Sequence, residues 1–378
     1  MGNDFKLRFN INAFLLLVLM YPIILFFPSL FNKEAFFLTT PYFFLVFVLM
    51  AGVLFLKGKF TSIKHFKLIM LLIIVVFYNF SSLRYSLPVF FVLYVLLFLA
   101  VLNTIKNDKI NIAMVELIFY LYIIFSIPFI FLPQGWDTES RFLGFIGSPT
   151  VYAGIMTAMF VLVARKWKLK TWKFIIIYII IVYLIYISKT RLLLIFLVVF
   201  PIINYLVINK LWFTKKRVYL LFLLTTISVY PLYGVVTNMF PTLVSIRYEE
   251  GSRDKSFGLR LYLNNALSED YKKGTVVQKA FGKGNEYSRN FVKDLFKFDI
   301  FPHNDFLRIL TDWGLLGVLI FMYLLYLFAI KNTDSLYISL IYILLFYSNM
   351  VFNIFIISLL IIFYFNNNNL LIENGTQK

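Results

Sequence analysis

Apolar residues in this chain do not alternate with polar ones. They come in long runs, broken by short polar stretches rich in lysine. A helix that crosses a bilayer needs about 20 mainly apolar residues, with about 17–25 common. On that measure the runs predict spans near 12–31, 36–56, 68–83, 88–105, 112–132, 150–164, 174–188, 192–208, 218–236 and 314–330. The run 336–365 would be about 45 Å long as one helix, against a hydrocarbon core of about 30 Å. Two helices turning between Ser348 and Asn353 fit better, because Asn349 and Asn353 are poor mid-membrane residues. The count is then twelve spans, or eleven if that run stays single.

One long stretch, 237–313, departs from the pattern altogether. It holds 12 basic and 10 acidic residues, evenly mixed. Apolar positions Phe291, Leu295, Phe296 and Phe298, then Phe306 to Leu310, argue that it folds rather than trails. Loops of this length are usually functional or disordered. The chain thus divides into nine spans over 1–236, a large loop over 237–313, and further spans with a short tail over 314–378.

Composition sharpens this to an all-α polytopic membrane protein. Hydrophobic residues make up 61% and charged residues 14% of the 378, far from the balance of water-soluble domains. Cysteine is absent, which excludes disulfides, Cys-based zinc sites and thiol catalysis. The net charge of +18 sorts by loop. Nineteen Lys and Arg fall in alternate segments beginning with Lys6 and Arg8, against five in the opposing short loops: Lys33, Arg84, Arg141, Lys189 and Arg191. Lysine and arginine collect on the cytoplasmic side. The N-terminus is therefore expected inside, with the first span an uncleaved signal anchor, and the large loop outside. A nucleic-acid partner is dropped, since the basic charge is spread over short loops at one membrane face.

Candidate chemistry is sparse. His65 reads as a solvated residue of a basic loop. His303 lies in Phe301-Pro302-His303-Asn304-Asp305-Phe306-Leu307-Arg308. Pro302 keeps the residue before it extended, and Asn304 or Asp305 can cap a following helix. Phe306, Ile309, Leu310 and Trp313 recur at helical spacing, predicting an amphipathic helix at the outer leaflet that leads into the span from Gly314. His303 is either a reacting group there or a residue bonding local backbone. Arginines at the outer face are the second signal, because charge sorting opposes them. They include Arg84, Arg141 and Arg191, and in the large loop Arg247, Arg253, Arg260, Arg289 and Arg308. Some are snorkelling anchors, but a guanidinium fork also suits a diphosphate. The turn Phe281-Gly282-Lys283-Gly284-Asn285 is either an ordinary loop turn or a close backbone approach to a ligand. Asp137-Thr138-Glu139 is a D-x-E pair that reads first as a solvated loop tip. Glu116, a few residues into a span, is expected to snorkel or pair with a cytoplasmic lysine.

Together these residues resemble the bacterial O-antigen polymerase and ligase superfamily. Pro302-His303-Asn304-Asp305-Phe306-Leu307 followed by Asp312-Trp313-Gly314-Leu315-Leu316-Gly317 resembles its P-H-N motif and the G-L-x-G that opens the next span. Arg141, Gly144, Phe145 and Pro149 resemble its R-x-x-G-x-F-x-x-P-N stretch, with Thr150 where Asn is common. Ser188-Lys189-Thr190-Arg191 resembles S-x-[ST]-R, and Gly258-Leu259-Arg260-Leu261 with Phe281-Gly282-Lys283-Gly284 resembles the loop arginine and F-G-x-G turn. The resemblance covers roughly 135–330.

The resemblance implies a metal-independent glycosyltransferase of GT-C architecture in the bacterial inner membrane, acting at the periplasmic face on undecaprenyl-diphosphate-linked saccharides. By it, Arg191 and Arg260 bind the diphosphate, with Arg141, Asn304, Gly282 and Gly284 as further substrate-binding candidates. His303 is the general base, and no cofactor is needed. A polymerase is expected, with a ligase to lipid A–core as the alternative acceptor choice. A chain-length regulator and a flippase of the same pathway are the expected partners. A transporter is the non-enzyme alternative, but the chain lacks the internal repeats common in that class.

Overall fold

In the computed structural model the described residues are 11–31, 42, 45–46, 110–138, 140–164, 172–208, 217–220, 224, 255–284, 287–296, 304–346 and 354–364. Their helices are α1 (Ile11–Phe31), α2 (Ile112–Phe131), α3 (Pro149–Ala164), α4 (Trp172–Ile187), α5 (Arg191–Ile208), α6 (Lys255–Lys273), α7 (Val276–Phe281), α8 (Tyr287–Phe296), α9 (Asp305–Ala329), α10 (Thr333–Phe346) and α11 (Ile354–Tyr364). No strand occurs among the described residues; Trp136 and Phe142 form one isolated antiparallel bridge. The apolar runs at 12–31, 112–132, 150–164, 174–188, 192–208 and 314–330 are all helical. Helices α2 and α9 are each long and apolar enough to cross a bilayer, and α3 and α4 are shorter apolar helices. Predicted spans 36–56, 68–83, 88–105 and 218–236 lie outside the described residues, apart from helical positions 42, 45, 46, 218–220 and 224.

Helix α3 is the hub. Every residue from Val151 to Ala164 is buried, because α2, α4, α5, α10 and α11 all pack against it. Ala153, Gly154, Ala158 and Ala164 let those neighbours approach, as small residues do between membrane helices. Aromatic rings fill the wider gaps: Phe160 meets Phe200 at 5.8 Å between centroids, and Phe200 meets Tyr337 at 5.6 Å.

The run 336–365 forms two helices, not one. The Asn332 side chain donates to the Phe363 carbonyl at 2.6 Å, so the chain leaves along α10 and returns along α11 to where it started. Asn332 also caps α10 by accepting from the Ser335 N–H at 2.8 Å.

Polar groups inside the bundle are placed where backbone needs them. Pro22 breaks the ladder of α1, and the carbonyls of Leu17 and Leu19 beside the break accept the hydroxyls of Tyr42 and Tyr122. Exposed backbone is costly in lipid, so such bonds stabilise a kinked span. Glu116 pairs with Lys173 and accepts from Tyr120 at 3.0 Å, as its shallow position predicted.

Contacts show which helix ends lie together. Asn111, just before α2, donates its N–H to Asn12 at the start of α1. Phe142, in the loop before α3, donates to the Ile187 carbonyl at the end of α4. Tyr337 near the start of α10 donates to Asn204 near the end of α5, at 2.7 Å.

Candidate functional site

Two groups of candidate residues stand at the starts of α5 and α9. The first surrounds the start of α5. Arg191 is its first helical residue. A cation at a helix N-terminus opposes the macrodipole, so helix stability does not explain it. The turn before it is held by the Ser188 hydroxyl, which donates to the Ile185 carbonyl at 2.7 Å and meets the Thr190 hydroxyl at 3.1 Å. The Phe142-to-Ile187 bond, 3.1 Å, ties this turn to the loop carrying Arg141. Arg141 is already engaged: its Nε donates to Asp137 at 2.6 Å and its backbone N–H to the same carboxylate at 2.8 Å. Asp137 of the D-x-E pair thus braces its own loop, while Glu139 lies outside the described residues. No cluster of three metal-ligating side chains occurs among the described residues.

The second group surrounds the start of α9. Asn304 caps it, its side chain accepting from the Leu307 N–H at 3.2 Å. The cap uses Oδ1 and leaves the amide Nδ2 for other partners. His303 itself lies outside the described residues and immediately precedes Asn304 in the chain. The amphipathic stripe predicted for 306–313 is buried on its polar side too: Arg308, Thr311 and Asp312 are as enclosed as Phe306 and Ile309. The reason is α7 and α8, which pack over that side.

The Phe281–Gly284 turn makes the closest of these approaches. Lys283 N–H donates to the Thr311 carbonyl at 2.9 Å, and Gly284 N–H to the Asp312 carbonyl at 3.1 Å. A Cβ on Gly282 would overlap the Asp312 carbonyl. Helix α9 meets the turn with a kink at Gly314, where φ is 72° and ψ −174°, and a Cβ there would overlap the Ala280 carbonyl. The close approach at Gly282 is therefore to the backbone of α9. At Gly284 nothing among the described residues lies within 4 Å of where a Cβ would stand.

Side chains lock the same junction. The Asp312 carboxylate accepts from the Ser288 N–H at the start of α8, at 2.7 Å, and faces Arg308 Nε at 3.9 Å. Lys283 Nζ reaches the Asp270 carboxylate at 2.8 Å and its carbonyl at 3.0 Å, and lies 5.0 Å from the Tyr287 ring centroid. Tyr287 donates to Asp270 at 3.2 Å. Burial, with Asp270 adding to it, holds the Tyr287 hydroxyl above the ordinary tyrosine range. Sequence reading quoted Asp312 without a role. Its spacing of four from Arg308 and eight from Asn304, one helix face, was the available signal.

Arg260 lies on α6, which packs against α9, one turn before buried Leu263 and Asn264. Among the described residues, Asn264 Oδ1 and Ser288 Oγ are buried with no hydrogen-bond partner, an expensive state for polar atoms.

Residues 176–322 match the family model described as O-antigen ligase. The match supports the O-antigen polymerase and ligase superfamily. The superfamily segment runs from within α4 into α9. It contains Arg191, Arg260, Gly282, Gly284, His303 and Asn304 and leaves out Arg141. Superfamily members are membrane glycosyltransferase-like enzymes, polymerases and ligases. No curated protein and no solved structure matches the chain.

Proposed function

We propose that this protein is a surface-polysaccharide polymerase of the inner membrane. It joins undecaprenyl-diphosphate-linked oligosaccharide repeat units at the periplasmic face. The family match over 176–322 carries this reading, since that segment contains the arginine, glycine and P-H-N elements. His303 takes the proton from an acceptor hydroxyl. The hydroxyl oxygen then forms its bond to the anomeric carbon as the bond from that carbon to the diphosphate breaks. Arg191 and Arg260 bind the diphosphate and stabilise the charge it carries away, with Arg141 on the adjoining loop as a further contact. Asn304 offers its amide Nδ2 to the acceptor, and the Gly282–Gly284 turn sets the large loop against the helix behind His303. The lipid diphosphate already activates the sugar, so a metal-independent GT-C mechanism is the simplest. The chain-length regulator and flippase of the pathway are the proposed partners.

The ligase reading differs only in the acceptor, lipid A–core. Deletion in the native host separates the two by gel analysis of surface polysaccharide and lipid-linked intermediates. Lipid-linked product of one repeat unit supports the polymerase. Lipid-linked polymer that is never transferred supports the ligase. Substrate held on the cytoplasmic side would refute both and favour a transporter.

A further inference from the structure

Helix α7 packs against α9, and its C-terminal end meets α9 where the apolar run begins. Lys283 bonds the Thr311 carbonyl, Gly282 abuts Asp312, and the Ala280 carbonyl abuts Gly314. Val276 lies four residues before Ala280, about 6 Å of helix. The tip of the hairpin therefore stays close to Gly314, after which α9 carries an uncharged run from Leu315.

Val276 and Val277 are 83% and 53% exposed. Looseness does not explain this, because the hairpin is well fastened. Thr275 and Gln278 form a reciprocal capping box. The Gly274 N–H donates to the Tyr271 carbonyl at 3.1 Å, and the Tyr271 hydroxyl to the Lys279 carbonyl at 3.0 Å. Two adjacent valines are thus held outward on a short helix whose other end meets α9 at Gly314, just before Leu315 and Leu319, themselves 50% and 52% exposed. Just before α7 stand exposed Lys273 and exposed Lys272, the latter paired with Glu269 at 2.7 Å. Apolar residues beside lysines at one level match a bilayer surface, with acyl chains for the valines and phosphate headgroups for the ammonium groups.

We propose that the tip of the α6–α7 hairpin, Lys272 to Val277, is seated in the outer leaflet of the membrane. The large loop is then anchored to lipid at a third place, besides its two ends. The proposal is independent of the reaction assigned above.

The chain has no cysteine, so single spin labels can be introduced without background. Full-length V276C and V277C are labelled in phospholipid liposomes. L319C on α9 serves as the lipid reference and K293C, exposed on α8, as the water reference. Collision with oxygen, which concentrates in lipid, is compared with collision with a water-soluble nickel chelate. The oxygen-to-nickel ratio at 276 and 277 is expected to approach that of L319C and exceed that of K293C several-fold. Ratios equal to that of K293C would overturn the proposal. So would shielding from both reagents, or spin–spin broadening relieved by unlabelled protein, which would mean a protein occupant or a second copy.

Discussion

Replacing Gly282 by alanine tests the junction on which the candidate site is built. Gly282 has φ 93° and ψ 177°, a region open in practice only to glycine and costing other residues about 1–3 kcal/mol. The added Cβ would also overlap the Asp312 carbonyl. Backbone blocks it there, so the turn must move away from α9. Moving it breaks the Lys283-to-Thr311 and Gly284-to-Asp312 bonds, each worth about 1 kcal/mol. The sum is about 3–5 kcal/mol of local stability. At about 1.4 kcal/mol per factor of ten, amide hydrogen exchange at Lys283 and Gly284 should accelerate at least about 100-fold in Gly282→Ala. Gly284→Ala is the control, since its φ of 116° brings strain but nothing among the described residues lies within 4 Å; a smaller acceleration is expected. Gly314→Ala should resemble Gly282→Ala, and the double variant should cost less than the sum, because one substitution already opens the contact. Exchange in Gly282→Ala within a few-fold of wild type would refute the reasoning.

His303→Ala is expected to lower chain extension about 10²–10⁴-fold, and Arg191→Ala and Arg260→Ala to abolish it, with all three proteins inserted; full activity in His303→Ala would remove the general-base assignment. Asn304→Asp retains the cap acceptor but loses the Nδ2 donor, so thermal stability should hold while activity falls, whereas Asn304→Ala should lose about 1 kcal/mol of stability as well. Asp312→Ala leaves buried Arg308 without this carboxylate and should cost about 3–5 kcal/mol, measured by thermal unfolding in detergent; a shift within error would show that the junction does not depend on it. Glu116→Gln should cost under about 1 kcal/mol, because the pair with Lys173 is 25% and 50% exposed, and a larger loss would point to a role beyond pairing.

The helices were legible because a bilayer makes one demand of every span, a long apolar run. Asn349 and Asn353 even marked where 336–365 divides. The cap at Asn304 was legible for a similar reason, since capping is local chemistry within three residues. What escaped was pairwise. The stripe of Phe306, Ile309 and Trp313 predicted a surface helix because periodicity reports one apolar face and is silent about what covers the other. On that other face Arg308, Thr311 and Asp312 are buried, with α7 and α8 covering them. Likewise nothing in the spacing shows that Arg141 Nε turns back to Asp137.

Gly282 and Gly314 join these two kinds of information. Each alone reads as a turn or a span boundary. In the fold each provides the room that the other's backbone occupies: Gly282 for the Asp312 carbonyl, Gly314 for the Ala280 carbonyl. A side chain at either position separates the two backbones, so neither glycine retains its purpose without the other. That reciprocity gives a physical reason for the F-G-x-G turn and the glycine after Asp312-Trp313 to occur together in one chain, although about thirty residues separate them. It also places the junction where it bears on the chemistry. Asp312 is eight residues, two helical turns, from Asn304, and the same carboxylate holds the start of α8. A displacement of the large loop relative to α9 is therefore passed to the helix end that follows His303, the proposed general base.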